Sequence, residues 1–184
     1  MNKKYQIAVI GPAGPEEYPK DNAPKNSIYE QAFLIGKLLA KNNCIVVTGG
    51  KSGIMSTAAE GAKSVSGSIT VGVVKGKQRF TANAFIDVEF VSGAMADGLD
   101  EYQIITMCDG AILLGGGAGT LEEIAIAYRQ EKPIVALRDT GGWADKLANT
   151  YLDERKRILI ESAETPEQAV TKLLNTIHHK TNSS

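Results

Sequence analysis

Residues 112–123 read ILLGGGAGTLEE. An apolar run gives way to Gly115, Gly116 and Gly117, then Gly119, and a helical pattern carrying Thr120 and Glu123 begins at once. Ordered glycine costs backbone entropy, so four glycines in five positions need a cause. Bare main chain lets N–H groups close on a phosphate, and a helix that follows adds its positive dipole end. Thr120 supplies a hydroxyl donor for the same anion. Two more apolar runs end in glycine: IGPAGP, with Gly11, Pro12 and Gly14, and TGGKSG, with Thr48, Gly49, Gly50, Lys51, Ser52 and Gly53. Loops of this kind at equivalent strand ends, each opening a helix, point to a phosphate-bearing small molecule. The GxxxxGK[ST] pattern is absent, which argues against a nucleoside-triphosphate P-loop.

Other residues carry two readings each. Thr120 and Glu123 have the T-x-x-E spacing of a capping box, yet a carboxylate one turn above an anion loop equally faces the ligand's sugar. Lys51 is a candidate cation within the second glycine loop. Lys75, Lys77 and Arg79 in KGKQRFTANAF form either a solvated loop or one that folds over the ligand and supplies charge. Trp143 either packs or stacks on a base. Asp139 lies about twenty residues after the glycine loop, where a dinucleotide fold carries its ribose-binding acid. However, 115–120 reads G-x-G-x-x-T and follows the fifth candidate strand, so dinucleotide binding is the second alternative. His178 and His179 read as solvent-exposed, and no metal is assigned. Cys44 and Cys108 read as buried free thiols.

The elements that must position these residues alternate along the chain. Candidate strands fall at 6–10, 44–48, 69–74, 86–91, 110–114, 133–137 and, weakly, 158–160. Most are rich in Val and Ile and apolar on both faces, as in a parallel sheet covered by helices on both sides. Helical patterns fill 27–41, 53–64, 100–108, 120–131 and 165–178. Ser27 and Glu30 have capping-box spacing, and Asp100 reads as an N-cap. The expectation is one α/β domain over 1–178, a Rossmann-like, doubly wound, mainly parallel sheet of about seven strands flanked by helices, with a disordered tail at 179–184.

Composition narrows the function. The chain has 184 residues, 43% hydrophobic and 22% charged, with a formal net charge of -1. Nothing in that balance favours a nucleic-acid backbone or a membrane surface as partner. The basic start MNKK leads into an apolar run too short for a signal-peptide core, so a cytoplasmic location is expected.

The loop GGGAGTLEE resembles the P-G-G-x-G-T-x-x-E motif of the Lonely Guy superfamily of cytokinin riboside 5′-monophosphate phosphoribohydrolases, proteins at one time taken for lysine decarboxylases. VVTGGKSGIMSTAAEGAK and IAVIGPAG resemble that superfamily's other glycine loops. The overall pattern is similar above all to the molybdenum cofactor carrier-like branch. The resemblance implies a Rossmann-like fold, usually a homodimer, and a nucleoside 5′-monophosphate or phosphorylated pterin whose phosphate rests on Gly116, Gly117, Gly119 and Thr120. In the enzymes, the Glu matching Glu123 and an Arg on the preceding helix cleave the N-glycosidic bond, giving a base and ribose 5-phosphate. The positions of the enzymes' Arg-Lys pair fall here at Asp100 and Glu101, and no basic residue stands between Arg79 and Arg129. The expectation is therefore a carrier or sensor of a nucleotide or of the molybdenum cofactor, with no resident cofactor assigned. A phosphoribohydrolase using Glu123 is the alternative.

Overall fold

The computed structural model describes residues 4–14, 28–93 and 98–182. Seven strands form one sheet: β1 (Gln6–Ile10), β2 (Ile45–Thr48), β3 (Ile69–Val74), β4 (Val88–Val91), β5 (Gly110–Leu114), β6 (Ile134–Leu137) and β7 (Ile160–Ala163). Their spatial order is β4-β3-β2-β1-β5-β6-β7, and every neighbouring pair is parallel. The chain steps outward from β1 to β4, then returns to the other side of β1. The β1/β5 boundary is thus the switch point, where doubly wound sheets open a crevice beyond their carboxyl ends.

Alternation along the strands sorts the two cores. Ile7 and Val9 point to the face packed by α1 (Ile28–Lys41), α2 (Ile54–Lys63) and α6 (Pro166–Asn182). Ala8 and Ile10 point to the face packed by α3 (Leu99–Met107), α4 (Ala118–Arg129) and α5 (Gly142–Leu147). Both faces being covered explains why the central strands read as unbroken apolar runs. The α1 stripe of Ile28, Ala32, Ile35 and Leu39 is fully buried. Where α1 crosses α2 the backbones touch: a Cβ on Gly36 would collide with the Ala58 carbonyl, and one on Gly61 with the Phe33 carbonyl.

Several expected boundaries move. Helix α4 starts at Ala118 with Gly117 as its N-cap, two residues before the expected start, because glycine is tolerated in a first turn that makes few helical bonds. Helix α3 starts after Gly98, so Asp100 lies inside its first turn and is not the cap. Strand β7 begins at Ile160, where it comes into register with Ile134 of β6. Helix α5 was not legible: its two leading glycines have poor helix propensity. It is fixed from outside, by Trp143 and Ala144 N–H groups donating to the carbonyls of Gly116 (3.2 Å) and Gly115 (2.9 Å). Helix α6, expected to end at 178, continues to Asn182, and Lys180 Nζ donates to the Glu131 carbonyl at 2.5 Å. The Ser27 cap lies outside the described residues.

Cys44 and Cys108 are buried and free, as expected. Burial, with the Asp109 charge behind it, pushes the Cys44 thiol up to about 11. Burial raises Cys108 as well. Neither is a thiolate nucleophile at neutral pH.

Candidate functional site

The loops after β1, β2 and β5 meet at the switch point and enclose a cleft of about 170 Å³. That is below the ~300–1,000 Å³ of an ordinary small-molecule pocket, so the cleft has room for only part of a molecule of that class.

Its floor is the start of α4. Gly117, Ala118 and Gly119 are exposed and line the cleft, and Thr120 closes the turn. No side chain caps this helix, and the first N–H seen to reach an intrahelical acceptor is that of Leu121, bonded to the Gly117 carbonyl at 3.1 Å. A helix start leaves its leading N–H groups without intrahelical partners, and here they stand beside the positive end of the dipole. Among the described residues, and apart from its own helix turn, no atom lies within 4 Å of where a Cβ on Gly119 would be, so this bare backbone faces the open cleft.

The neighbouring glycines have other duties. Gly116 has a φ of 99°, and a Cβ there would strike the Thr120 side chain, so its absence lets Thr120 fold over the turn. The Gly115 N–H donates to Thr140 Oγ1 at 2.9 Å, and that hydroxyl donates to the Leu137 carbonyl at 2.6 Å. Thr140 is wholly buried and ties the loop after β6 to the glycine turn. Gly115 and Gly116 therefore shape the seat from behind and do not line it.

The other two loops divide similarly. Gly11, Gly49 and Lys51 line the cleft. Pro12, Thr48 and Gly50 support it: the Pro12 carbonyl accepts the Ile54 N–H (3.1 Å), and Thr48 Oγ1 accepts the Gly50 N–H (3.1 Å). Ser52 Oγ donates to the Ala13 carbonyl at 2.5 Å, joining the first loop to the second.

Beyond the β3 strand, Asn83 Nδ2 donates to the carbonyls of Gly50 (3.1 Å) and Lys51 (2.8 Å). The loop containing Lys75, Lys77 and Arg79 therefore buttresses the site through Asn83, a residue that no local pattern singles out. Its three cations do not line the cleft, and Arg79 lies over the Phe80 ring, 5.0 Å from its centroid. Trp143 packs against the α3/α4 core with Lys146 Nζ above it at 4.6 Å. Asp139 is exposed on a turn and does not line the cleft, so the dinucleotide alternative has no ribose-binding acid there. His178 is exposed and packs against Tyr5, the rings tilted at 57° with centroids 5.3 Å apart. Among the described residues, no cluster of His, Cys, Asp and Glu is arranged to hold a metal ion.

The wall beside the seat is acidic. Asp100, Glu101 and Glu123 all line the cleft, with Lys51 the one cation among the described lining residues. Because α4 starts at Ala118, Thr120 is in its first turn and is not its cap, so the T-x-x-E pair is no capping box and Glu123 is released into the cleft. Burial above all, then the charges of Glu101 and Asp100, holds the Glu123 carboxyl well above the usual range, with Lys51 pulling weakly the other way. Glu101 is raised too, mainly by burial and by the adjoining Asp100, although its Oε2 accepts the Gly98 N–H at 3.0 Å. Asp100 is 3% exposed. Its Oδ2 sits 3.9 Å from Lys51 Nζ, and its Oδ1 is buried with no hydrogen-bond partner. An orphaned buried acceptor costs about 1–3 kcal/mol. Its local pattern read as a cap and the resemblance set it at the enzymes' Arg-Lys positions; the fold shows it lining the cleft from inside the first turn of α3.

Comparison with known proteins agrees with this architecture. A relative from Archaeoglobus fulgidus, itself uncharacterized, is 30% identical over 168 residues, covering 91% of this chain and 93% of its own. Two solved structures share the fold over nearly their whole length. The molybdenum cofactor binding protein of Rippkaea orientalis has a TM-score of 0.77 at 25% identity, covering 95% of this chain and 98% of its own. The molybdenum cofactor carrier protein of Chlamydomonas reinhardtii has a TM-score of 0.73 at 27% identity, covering 96% and 99%. The model of the SLOG cluster4 family matches residues 4–170, and the chain belongs to that family.

Proposed function

We propose that this protein binds a phosphorylated small molecule, either a nucleoside 5′-monophosphate or a molybdenum cofactor as cargo, and acts as its carrier or sensor. The observation that carries the reading is the uncapped start of α4, where exposed main chain at 117–119 faces a cleft and Thr120 closes over it. Donors fixed in this way suit a phosphate without reorganisation. The similarity to two proteins named for binding or carrying the molybdenum cofactor supports the carrier role. Phosphate, nucleotide and pterin phosphate all offer the terminal anion that the seat requires.

The second reading, hydrolysis of a nucleoside 5′-monophosphate to base and ribose 5-phosphate, rests on Glu123. Its carboxyl is in the cleft and raised toward the range of a general acid. Against it stand Asp100 and Glu101, two carboxylates where the enzymes' Arg-Lys pair falls. An oxocarbenium-like transition state gains from a carboxylate, but the phosphate must first be held, and added negative charge opposes that.

Incubation with AMP, GMP, CMP and UMP separates the readings. Saturable binding without release of ribose 5-phosphate supports the carrier or sensor. Release that disappears in Glu123→Ala makes the protein an enzyme. In either case Gly117→Val is expected to abolish binding and keep the circular dichroism spectrum, because its side chain would occupy the seat. Normal nucleotide binding by that variant would refute the phosphate seat.

A further inference from the structure

We infer that Asp100 is the specificity-determining acceptor of the cleft, taking the adjacent hydroxyl pair of a ribosyl phosphate whose phosphate rests on the start of α4. The inference depends on the phosphate-seat reading above and selects among its ligands.

Asp100 lines the cleft, is 3% exposed, and keeps one carboxylate oxygen buried without a partner. Its other oxygen lies 3.9 Å from Lys51 Nζ, beyond hydrogen-bond reach, and the neighbouring Glu101 carboxyl hydrogen-bonds to the same side chain without satisfying the buried oxygen. A carboxylate offers acceptors only, so what completes Asp100 must bring O–H or N–H donors. A phosphate brings none and is repelled. The ligand group at Asp100 is therefore a neutral donor and not the anion.

Thr120 and Glu123 both line the cleft, less than one turn apart on α4, or roughly 5 Å along the surface. Glu123 in turn lies within the field of Asp100 and Glu101. The acidic wall thus begins about a helical turn from the anion seat. On a ligand held by its terminal 5′-phosphate, the group at that remove is the sugar ring, and the base lies farther out. The small cleft agrees, because it has room for the sugar phosphate and leaves the base outside. Met55 and Ile104 give the cleft an apolar side for the carbon face of the ring. A pterin phosphate lacks a free vicinal diol at this position, so the wall favours the ribonucleotide.

The test compares ligands differing only in those hydroxyls. The wild type is titrated calorimetrically with AMP, with 2′,3′-dideoxyadenosine 5′-monophosphate and with inorganic phosphate. Ribose 5-phosphate against 2-deoxyribose 5-phosphate repeats the comparison without a base. AMP is expected to bind ~10–100-fold more tightly than the dideoxy nucleotide, the worth of hydrogen bonds to a charged acceptor. In Asp100→Asn the gap shrinks to within about threefold, while inorganic phosphate binds at least as well, since a negative charge has gone. Equal binding of the two nucleotides by the wild type, or an undiminished gap in Asp100→Asn, overturns the inference. If phosphate binds but neither ribosyl ligand exceeds its deoxy counterpart, this inference alone falls. If none of the probes binds, the phosphate seat falls and takes the inference with it.

Discussion

Glycines crowd two regions of this molecule for opposite reasons. At the α1/α2 crossing, Gly36 and Gly61 are missing side chains because another backbone already occupies the space. At the start of α4, no described residue outside the helix's own turn comes within 4 Å of the side chain that Gly119 lacks. The first region uses glycine to bring helices together, as close helix packing does. The second leaves main chain bare with no internal partner to account for it, which is what a ligand seat looks like before the ligand arrives. The same residue type thus reports packing in one place and function in the other, and the occupant of the absent Cβ position tells them apart.

The sharpest way to break this comparison is to fill the packed position. In Gly36→Val, Cβ would fall on the Ala58 backbone, and neither helix can yield without separating from the other. Overpacking against backbone leaves no flexible side chain to move, so a loss on the order of 3–5 kcal/mol is expected. Urea denaturation measures it. A variant within about 1 kcal/mol of wild type would show that the crossing has slack and that Gly36 is no contact glycine.

Electrostatics supplies a second contrast inside the site, between the seat and the wall. Raising the Glu123 carboxyl means that the native state holds a proton the unfolded chain releases from about 4.5 upward. Stability is therefore lost as pH rises above 4.5 through the raised value, and the penalty is complete above it. Glu123→Gln removes this penalty. The variant is expected to match wild type in melting temperature near pH 4.5 and to exceed it by a few degrees at pH 8. A constant difference across that range would mean that Glu123 does not titrate as its burial dictates.

The sheet was legible because covering a strand on both faces leaves a short-range signature. QIAVI and GAILL needed no partner to be recognised, and the glycines marked their carboxyl ends. The seat was legible for the same reason, since the loop and its helix are adjacent in sequence. The wall was not. Asp100 and Glu123 stand on different helices, and they share a cleft only because α3 and α4 pack side by side. Reading helix starts from spacing also misled: T-x-x-E and a leading Asp are common caps, but Gly117 and Gly98 precede both helices. Thr140 and Asn83 hold the glycine turns from 25 and 33 residues away, distances at which no local pattern carries a signal.

The gentlest substitution sharpens the opening comparison most. Gly119→Ala adds one methyl where nothing stands, in a helix where the φ is ordinary. Removing glycine from a helix reduces the entropy lost on folding, worth up to about 1 kcal/mol and less in a first turn. Stability is thus expected to rise slightly, a sign opposite to that at Gly36. Yet the methyl projects into the cleft, so nucleotide or phosphate binding is expected to weaken by at least ~10-fold, or about 1.4 kcal/mol. A stabilising change that costs binding is what a functional glycine should give, because the sequence keeps a less stable residue there for what it leaves uncovered. If the alanine variant is more stable and binds as wild type does, the space above Gly119 is no ligand seat, and the difference between the two glycine regions loses its functional meaning.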